Sequence, residues 1–400
     1  MQIGNAIPNL QGIVIVMPML KRDIETKLKE MATKYPVIAI TGPRQSGKTT
    51  LCKELFKDYR YVTLENPENK TFAQEDPNGF LEEYNDKVII DEAQNVPELF
   101  SYIQGIVDDS GKTGQFILTG SQNFLLHEKI SQTLAGRIYI YHLLPFSYNE
   151  LKDYYPSDLS SQIFKGGYPR IYDKNIEPED FFPSYVQTYV ERDVRNILNI
   201  KNLRLFSSFL QLCAGRIAQL FNSSAIANEL GVDHKTIRSW LVLLEASFVI
   251  YRLQPWHINF NKRIVKSPKI YFYDTGLACY LLGLRNKEEV NIHFAKGALV
   301  ENYIITEHIK NTWNKGEPLN SYFWRNSTGH EIDLLVENGK KLKIIEIKSS
   351  KTIKQNFFRE LSYFEKLASN YKIEKHIIYG GKESRKQFNT QISPWNETDF

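Results

Sequence analysis

The sequence predicts an α/β fold built on a parallel sheet, and three observations carry that expectation. Short apolar runs rich in Val and Ile, at 37–41, 87–90 and 115–118, alternate with helical stretches. Each run ends in a polar cluster, at 42–50, 91–92 and 119–121. Open α/β sheets bind ligands at the carboxyl ends of their strands, where all three clusters fall.

The chain has 400 residues, too many for one core, so two to three domains are expected. Hydrophobic residues make up 42% and charged residues 24%, the balance of a folded soluble protein. Lys and Arg number 50 against 46 Asp and Glu, and a net charge of +4 is too small to indicate nucleic acid by itself. Cys52, Cys213 and Cys279 lie far apart without metal-ligand spacing. They suit a reducing cytoplasm and exclude a disulfide framework. The apolar stretch 12–20 is broken by Pro18 and falls short of the roughly 20 residues of a membrane span. No basic segment precedes it, so neither a span nor a signal peptide is expected. Residues 1–16, ahead of Met17, read as a disordered arm or an upstream translation start.

From the start of the fold, 22–34 reads as an amphipathic helix and 37–41 as a buried strand. Gly42, Pro43, Arg44, Gln45, Ser46, Gly47, Lys48 and Thr49 satisfy GxxxxGK[ST], with Thr50 opening a helix-forming run. In that setting backbone N–H groups curl around phosphate oxygens, Lys48 reaches the β- and γ-phosphates and Thr49 holds Mg²⁺. Strand 87–90 ends in two acids: Asp91 is placed to hold Mg²⁺ through water and Glu92 to polarise an attacking water. The expected ligands are therefore ATP and Mg²⁺. After the next strand, Thr119 or Ser121 is placed to sense the γ-phosphate, with Asn123 as a rival. Arg137 is the first candidate, and Arg192 the second, for the last positive charge on the transition state. A salt-bridged arginine is the competing reading for either.

Four runs, 41–50, 89–94, 118–122 and 134–137, together resemble one group of prokaryotic AAA+-type ATPases that carry a conserved C-terminal domain. The match continues at 166–169, 189–193, 267–269 and 274–276. The resemblance implies an AAA+-type P-loop core at 17–155, a helical lid at 156–205, a winged helix-turn-helix at 206–285 and a restriction-nuclease-like domain at 286–400. Homo-oligomers, ring-shaped ones included, are implied as well.

The middle segment also reads from its residues. A helix at 223–230, capped by Ser223, a turn at Gly231-Val232 and a second helix at 234–247, capped by Asp233, form a helix-turn-helix. A wing strand follows at 249–253. His234, Lys235 and Arg238 point outward, followed by Lys262, Arg263, Lys266 and Lys269. One reading is duplex DNA binding through phosphates, with Arg238 reading bases. The other is a packing or oligomerisation module.

At the C-terminal end, Glu301 falls on a helix at 298–310, Asp333 on a strand, and Glu346 and Lys348 on the next strand, where residues two apart share a face. A hairpin brings these groups together, with Glu346 and Lys348 on an outward face. Two carboxylates, Asp333 and Glu346, with Lys348 and the helix-borne Glu301 are what Mg²⁺-dependent phosphodiester cleavage needs. The constellation resembles the PD-(D/E)xK nuclease core. Two functions are carried forward: an ATP-hydrolysing machine acting on DNA, or an ATP-driven assembly switch whose acidic cluster is structural.

Overall fold

The computed structural model describes residues 6–8, 14–16, 20–121, 133–190, 203–257 and 267–397. Within 1–16, strands β1 (Ala6–Pro8) and β2 (Val14–Val16) pair antiparallel where an arm is expected. Asn123, Arg192, Lys262, Arg263 and Lys266 lie outside the described residues.

Apolar runs without alternation pack on both faces, and that is how the first sheet forms. Helix α1 (Glu25–Ala32) leads into β3 (Val37–Thr41), the phosphate loop and α2 (Lys48–Leu55). Next come β4 (Arg60–Thr63), α3 (Pro67–Glu75), α4 (Pro77–Glu83), β5 (Val88–Asp91) and α5 (Leu99–Ser110). Strands β6 (Phe116–Gly120) and β7 (Ile138–His142) complete the sheet. Its order is β4-β5-β6-β3-β7, all parallel, and β3, β5 and β6 are buried throughout. The phosphate-loop strand β3 thus lies inside the sheet, between β7 and β6, which carries Thr119, with β5 and its terminal Asp91 one strand further.

Short helices follow: α6 (Tyr148–Leu151), α7 (Leu159–Lys165), α8 (Pro169–Asp173), α9 (Pro178–Tyr185) and α10 (Leu203–Ala214). Then α11 (Ser223–Leu230) and α12 (His234–Ala246) meet across Gly231. Asn222, not Ser223, caps α11: its side chain accepts from the N–H groups of Ser224 and Ala225 at 3.1 and 3.0 Å. Asp233 caps α12 as expected.

The strand expected as a wing does not stand apart. Strands β8 (Ile250–Pro255) and β9 (Lys269–Phe272) pair antiparallel. After α13 (Thr275–Leu281), α14 (Lys287–Ile292) and α15 (Lys296–Asn314), β10 (Ser321–Arg325) pairs parallel to β8. The sheet runs on through β11 (Glu331–Asn338) and β12 (Lys341–Lys348). Helix α16 (Arg359–Leu367) precedes β13 (Lys372–Tyr379), β14 (Arg385–Gln387) and β15 (Thr390–Pro394). One eight-stranded mixed sheet, β14-β15-β13-β12-β11-β10-β8-β9, therefore joins wing and C-terminal region.

Helix α15 packs Leu299, Tyr303 and Ile304 against Ile345 and Ile347 on one face of that sheet. Helix α16 packs Leu361 and Phe364 against Leu342 and Ile344 on the other. Both faces of β12 are covered, so the outward face expected for Glu346 does not exist; Glu346 is buried. Alternation along β12 places the acid correctly relative to its neighbours, but nothing in β12 alone reveals that α16 closes over it.

Candidate functional site

The phosphate loop is shaped by backbone geometry that its residue types permit. Gly42 has φ of 151°, and a Cβ there would lie 2.2 Å from the Leu143 carbonyl oxygen, so only glycine lets the loop cross β7's end this closely. Lys48 folds back under the loop, donating to the carbonyls of Gly42 and Pro43 at 3.0 and 2.8 Å. Burial pushes its ammonium down to about 8, against the opposing pull of Glu92 and Asp91.

Asp91 is the hub. It accepts from the Thr49 hydroxyl at 3.0 and 3.1 Å, from Tyr61 at 2.8 Å, and from Thr119. Glu92 accepts from Ser121 at 3.1 Å and from the Gln94 amide. The structure therefore gathers Lys48, Thr49, Asp91, Glu92, Thr119 and Ser121 at one sheet edge. Three buried polar atoms around them, Gln45 Oε1, Ser46 Oγ and Gln94 Oε1, have no protein partner. Unpaired buried polar atoms are costly; Ser46 Oγ can donate to a phosphate oxygen, and the two amide oxygens can accept from water around a bound nucleotide. Thr49 and Asp91 offer the oxygen ligands that Mg²⁺ takes, so the residues fit nucleotide and metal alike.

Arg137 is not brought to this cluster. Its carbonyl accepts from Val37 N–H at 3.2 Å, which puts it at the amino end of β3, while the loop follows the carboxyl end. Five strand residues separate the two ends by roughly 13 Å. Its guanidinium instead pairs with Asp108, Nη2 to Oδ2 at 2.9 Å.

Arg22, which sequence reasoning passed over, braces the loop from behind. Buried against the Phe146 ring at 4.6 Å, it donates to Ser46 O at 2.9 Å, Leu144 O at 2.7 Å and Glu150 at 2.8 Å. A lone arginine carries no motif, so no sequence signal marks it. Beyond it, Lys310 on α15 donates to Phe146 O and Glu307, both at 2.9 Å, and Glu307 accepts from Tyr148 N–H at 2.6 Å. The runs 166–169 and 274–276 meet here as well. Asp274 accepts from the N–H groups of Gly167 and Leu277 at 2.7 and 3.0 Å, and a Cβ on Gly166 would fall 2.2 Å from its carboxylate.

Lys235 and Arg238 project from α12, exposed and one turn apart. The C-terminal acids converge, but on lysines. Lys348 pairs with Glu346 and lies 3.6 Å from Asp333, which also accepts from Ile347 N–H at 2.8 Å. Glu301 accepts from Tyr271 at 2.7 Å and from Lys269 at 2.9 Å; Lys269, 2% exposed, also pairs with Glu331. Burial pushes Glu301 up to about 7, with Lys269 opposing and Asp333 adding to it. Burial and Asp333 push Glu346 well up, against Lys348. Among the described residues no three His, Cys, Asp or Glu side chains gather as metal ligands. Lys348 stands beside both Asp333 and Glu346, the convergence expected from the two strands. Also among the described residues, no helix is long and apolar enough to cross a membrane.

Comparison with known proteins places an AAA domain at residues 34–152. Residues 156–288 match a domain of unknown function (DUF8612), and residues 296–397 match another (DUF4143). Uncharacterized proteins of Mycobacterium tuberculosis and Mycobacterium bovis are each 31% identical over 337 residues, 83% of this chain and 74% of theirs. An uncharacterized protein of Haemophilus influenzae is 24% identical over 286 residues, 63% of this chain and 70% of its own. Among solved structures, the Walker-type ATPase of Pyrococcus abyssi matches at 15% identity and a TM-score of 0.45, covering 66% of this chain and 96% of that one.

Proposed function

Because the chain belongs to the family of these two mycobacterial proteins and carries an AAA domain, we propose that it binds and hydrolyses ATP. The observation that carries this is the convergence of Lys48, Thr49 and Asp91 beneath a loop whose buried polar atoms lack partners. Lys48 turns from the carbonyls it now contacts to the β- and γ-phosphates. Thr49 and Asp91 hold Mg²⁺, which neutralises phosphate charge when bound. Glu92, set in position by Ser121 and Gln94, orients the attacking water and takes its proton. Arg137, half-buried and paired with Asp108 at the amino end of the sheet, would act on a neighbouring copy's nucleotide in a homo-oligomer, after leaving Asp108, rather than on its own.

Hydrolysis serves a switch in this reading. Arg22 touches the loop and, through Phe146, meets Lys310 on α15, so a change of loop geometry reaches the helix that carries Glu301. In this reading the C-terminal domain binds or transmits without cutting, with its acids held by Lys269 and Lys348. Exposure of Lys235 and Arg238 favours duplex DNA as what α12 contacts. The test is ATP turnover with Mg²⁺, with and without duplex DNA, while following the DNA for cleavage. Hydrolysis without cleavage is expected. Absent hydrolysis overturns the ATPase, and cleavage lost in Glu346→Gln restores the nuclease reading.

A further inference from the structure

Away from both the nucleotide loop and α12, a recessed groove of about 720 Å³ opens between the helical middle and the carboxyl edge of the C-terminal sheet. Its lining carries four lysines, Lys287, Lys296, Lys351 and Lys382, against two acids, Asp158 and Glu288. Only Lys287 is engaged, at 3.8 Å from Asp158; among the described residues Lys296, Lys351 and Lys382 make no ion pair. These lysines come from elements distant in sequence: α14 and α15 on one side, the turns after β12 and β13 on the other. The wall between them is aromatic, with Tyr148 and Trp395 meeting edge to face at 5.1 Å.

Between the groove residues Asn291 and Lys296 the chain exposes Phe294, which is 82% accessible and lies beside the His293 ring at 4.4 Å. Ile292, two residues before it, is 85% accessible, and scattered exposed apolar side chains are ordinary. A lysine-lined groove with an exposed ring two residues along the chain from one of its lysines is a pairing that suits a nucleotide chain, with phosphates on the ammonium groups and an unstacked base on the aromatic face. A duplex hides those base faces and presents a convex backbone to a recess. An acidic peptide supplies charge but no planar face for Phe294. We propose that this groove binds single-stranded nucleic acid without sequence preference. The binding requires neither ATP hydrolysis nor the duplex contact assigned to α12.

The probe is a labelled oligothymidylate of about 20 nucleotides, titrated by fluorescence anisotropy at several salt concentrations. Lys351 and Lys382 are exposed, so Lys351→Glu with Lys382→Glu should fold, with basal ATP turnover unchanged. This pair is expected to weaken binding at least tenfold and to reduce the slope of log affinity against log salt by about 1.4, two contacts at about 0.7 each. Phe294→Ala is expected to weaken binding roughly tenfold and leave the slope unchanged. Unchanged affinity in both variants overturns the proposal. So does oligoglutamate of equal length displacing the oligonucleotide at equal concentration, or binding that vanishes only with Lys235→Ala and Arg238→Ala. Because turnover is read separately, failure of the groove and failure of the ATPase reading give different results.

Discussion

Lys48 is the residue on which nucleotide recognition turns. Buried under its own loop with two carbonyl partners, it keeps its proton less firmly than an exposed lysine, with a pKa of about 8. Its ammonium is what the phosphates attract, so affinity for ATP is expected to fall as pH rises through 8 toward 9. Isothermal titration across that range checks it; a flat profile assigns phosphate binding to the backbone alone. The sign for stability is opposite. The folded pKa lies below the unfolded value near 10.5, so the unfolded chain holds more protons between them and stability rises with pH over that window. Lys48→Ala is expected to abolish binding and turnover at any pH. At Glu92 the outcome differs: Glu92→Gln keeps the hydrogen bonds from Ser121 and Gln94 within reach but loses the base. ATP affinity should stay near the parent's while single-turnover hydrolysis falls by roughly 10²–10⁴-fold. Equal turnover in the variant removes Glu92 from the chemistry.

At the scale of elements, the junction of β9, α15 and β11 is held by one buried cation. Lys269 stands between Glu301 and Glu331, and Asn302 on the same helix grips both backbone groups of Phe272 at 2.7 Å. Truncating one partner of a buried ion pair leaves uncompensated charge. Lys269→Met is therefore expected to destabilise the protein by about 3–5 kcal/mol in urea unfolding. Adding Glu301→Gln should recover part of that loss; independence of the two changes means the pair does not couple. Helix α12 poses a different question, because its charges face water. Lys235→Ala and Arg238→Ala should leave stability within about 0.5 kcal/mol. Each is expected to reduce the salt slope of duplex binding by about 0.9. An identical slope in both variants leaves α12 as a packing element.

Across the whole molecule, the path from loop to C-terminal sheet runs through Arg22, the turn 143–150 and Lys310. Arg22 spends three donors on Ser46, Leu144 and Glu150, a fork geometry that lysine does not reproduce. ATP binding is expected to slow amide exchange in the phosphate loop and in α15 of the parent protein. In Arg22→Lys, protection should remain in the loop and disappear from α15. If α15 responds equally in the variant, the two regions are coupled by another route.

What the sequence determined by itself is what depends on neighbours along the chain. The parallel sheet, the phosphate loop and the acids ending β5 were legible because glycine positions, β-branched runs and strand ends are local. Helices α11 and α12 were legible for the same reason, although Asn222 took the cap read at Ser223. The convergence of Asp333, Glu346 and Lys348 followed from hairpin register. Tertiary structure decided the rest. Helix α16 buries the face of β12 that alternation left open, and Lys269, arriving on β9, neutralises Glu301. Strands β8 and β9 enter the C-terminal sheet through pairing of β8 with β10, a parallel contact across some seventy residues that no periodicity announces. Arg137 was drawn away from the nucleotide because a strand's two ends are indistinguishable in a motif but lie on opposite edges of a sheet. Arg22 and the lysine groove were invisible for a shared physical reason: each is assembled from groups far apart in the chain, and only packing sets their distances.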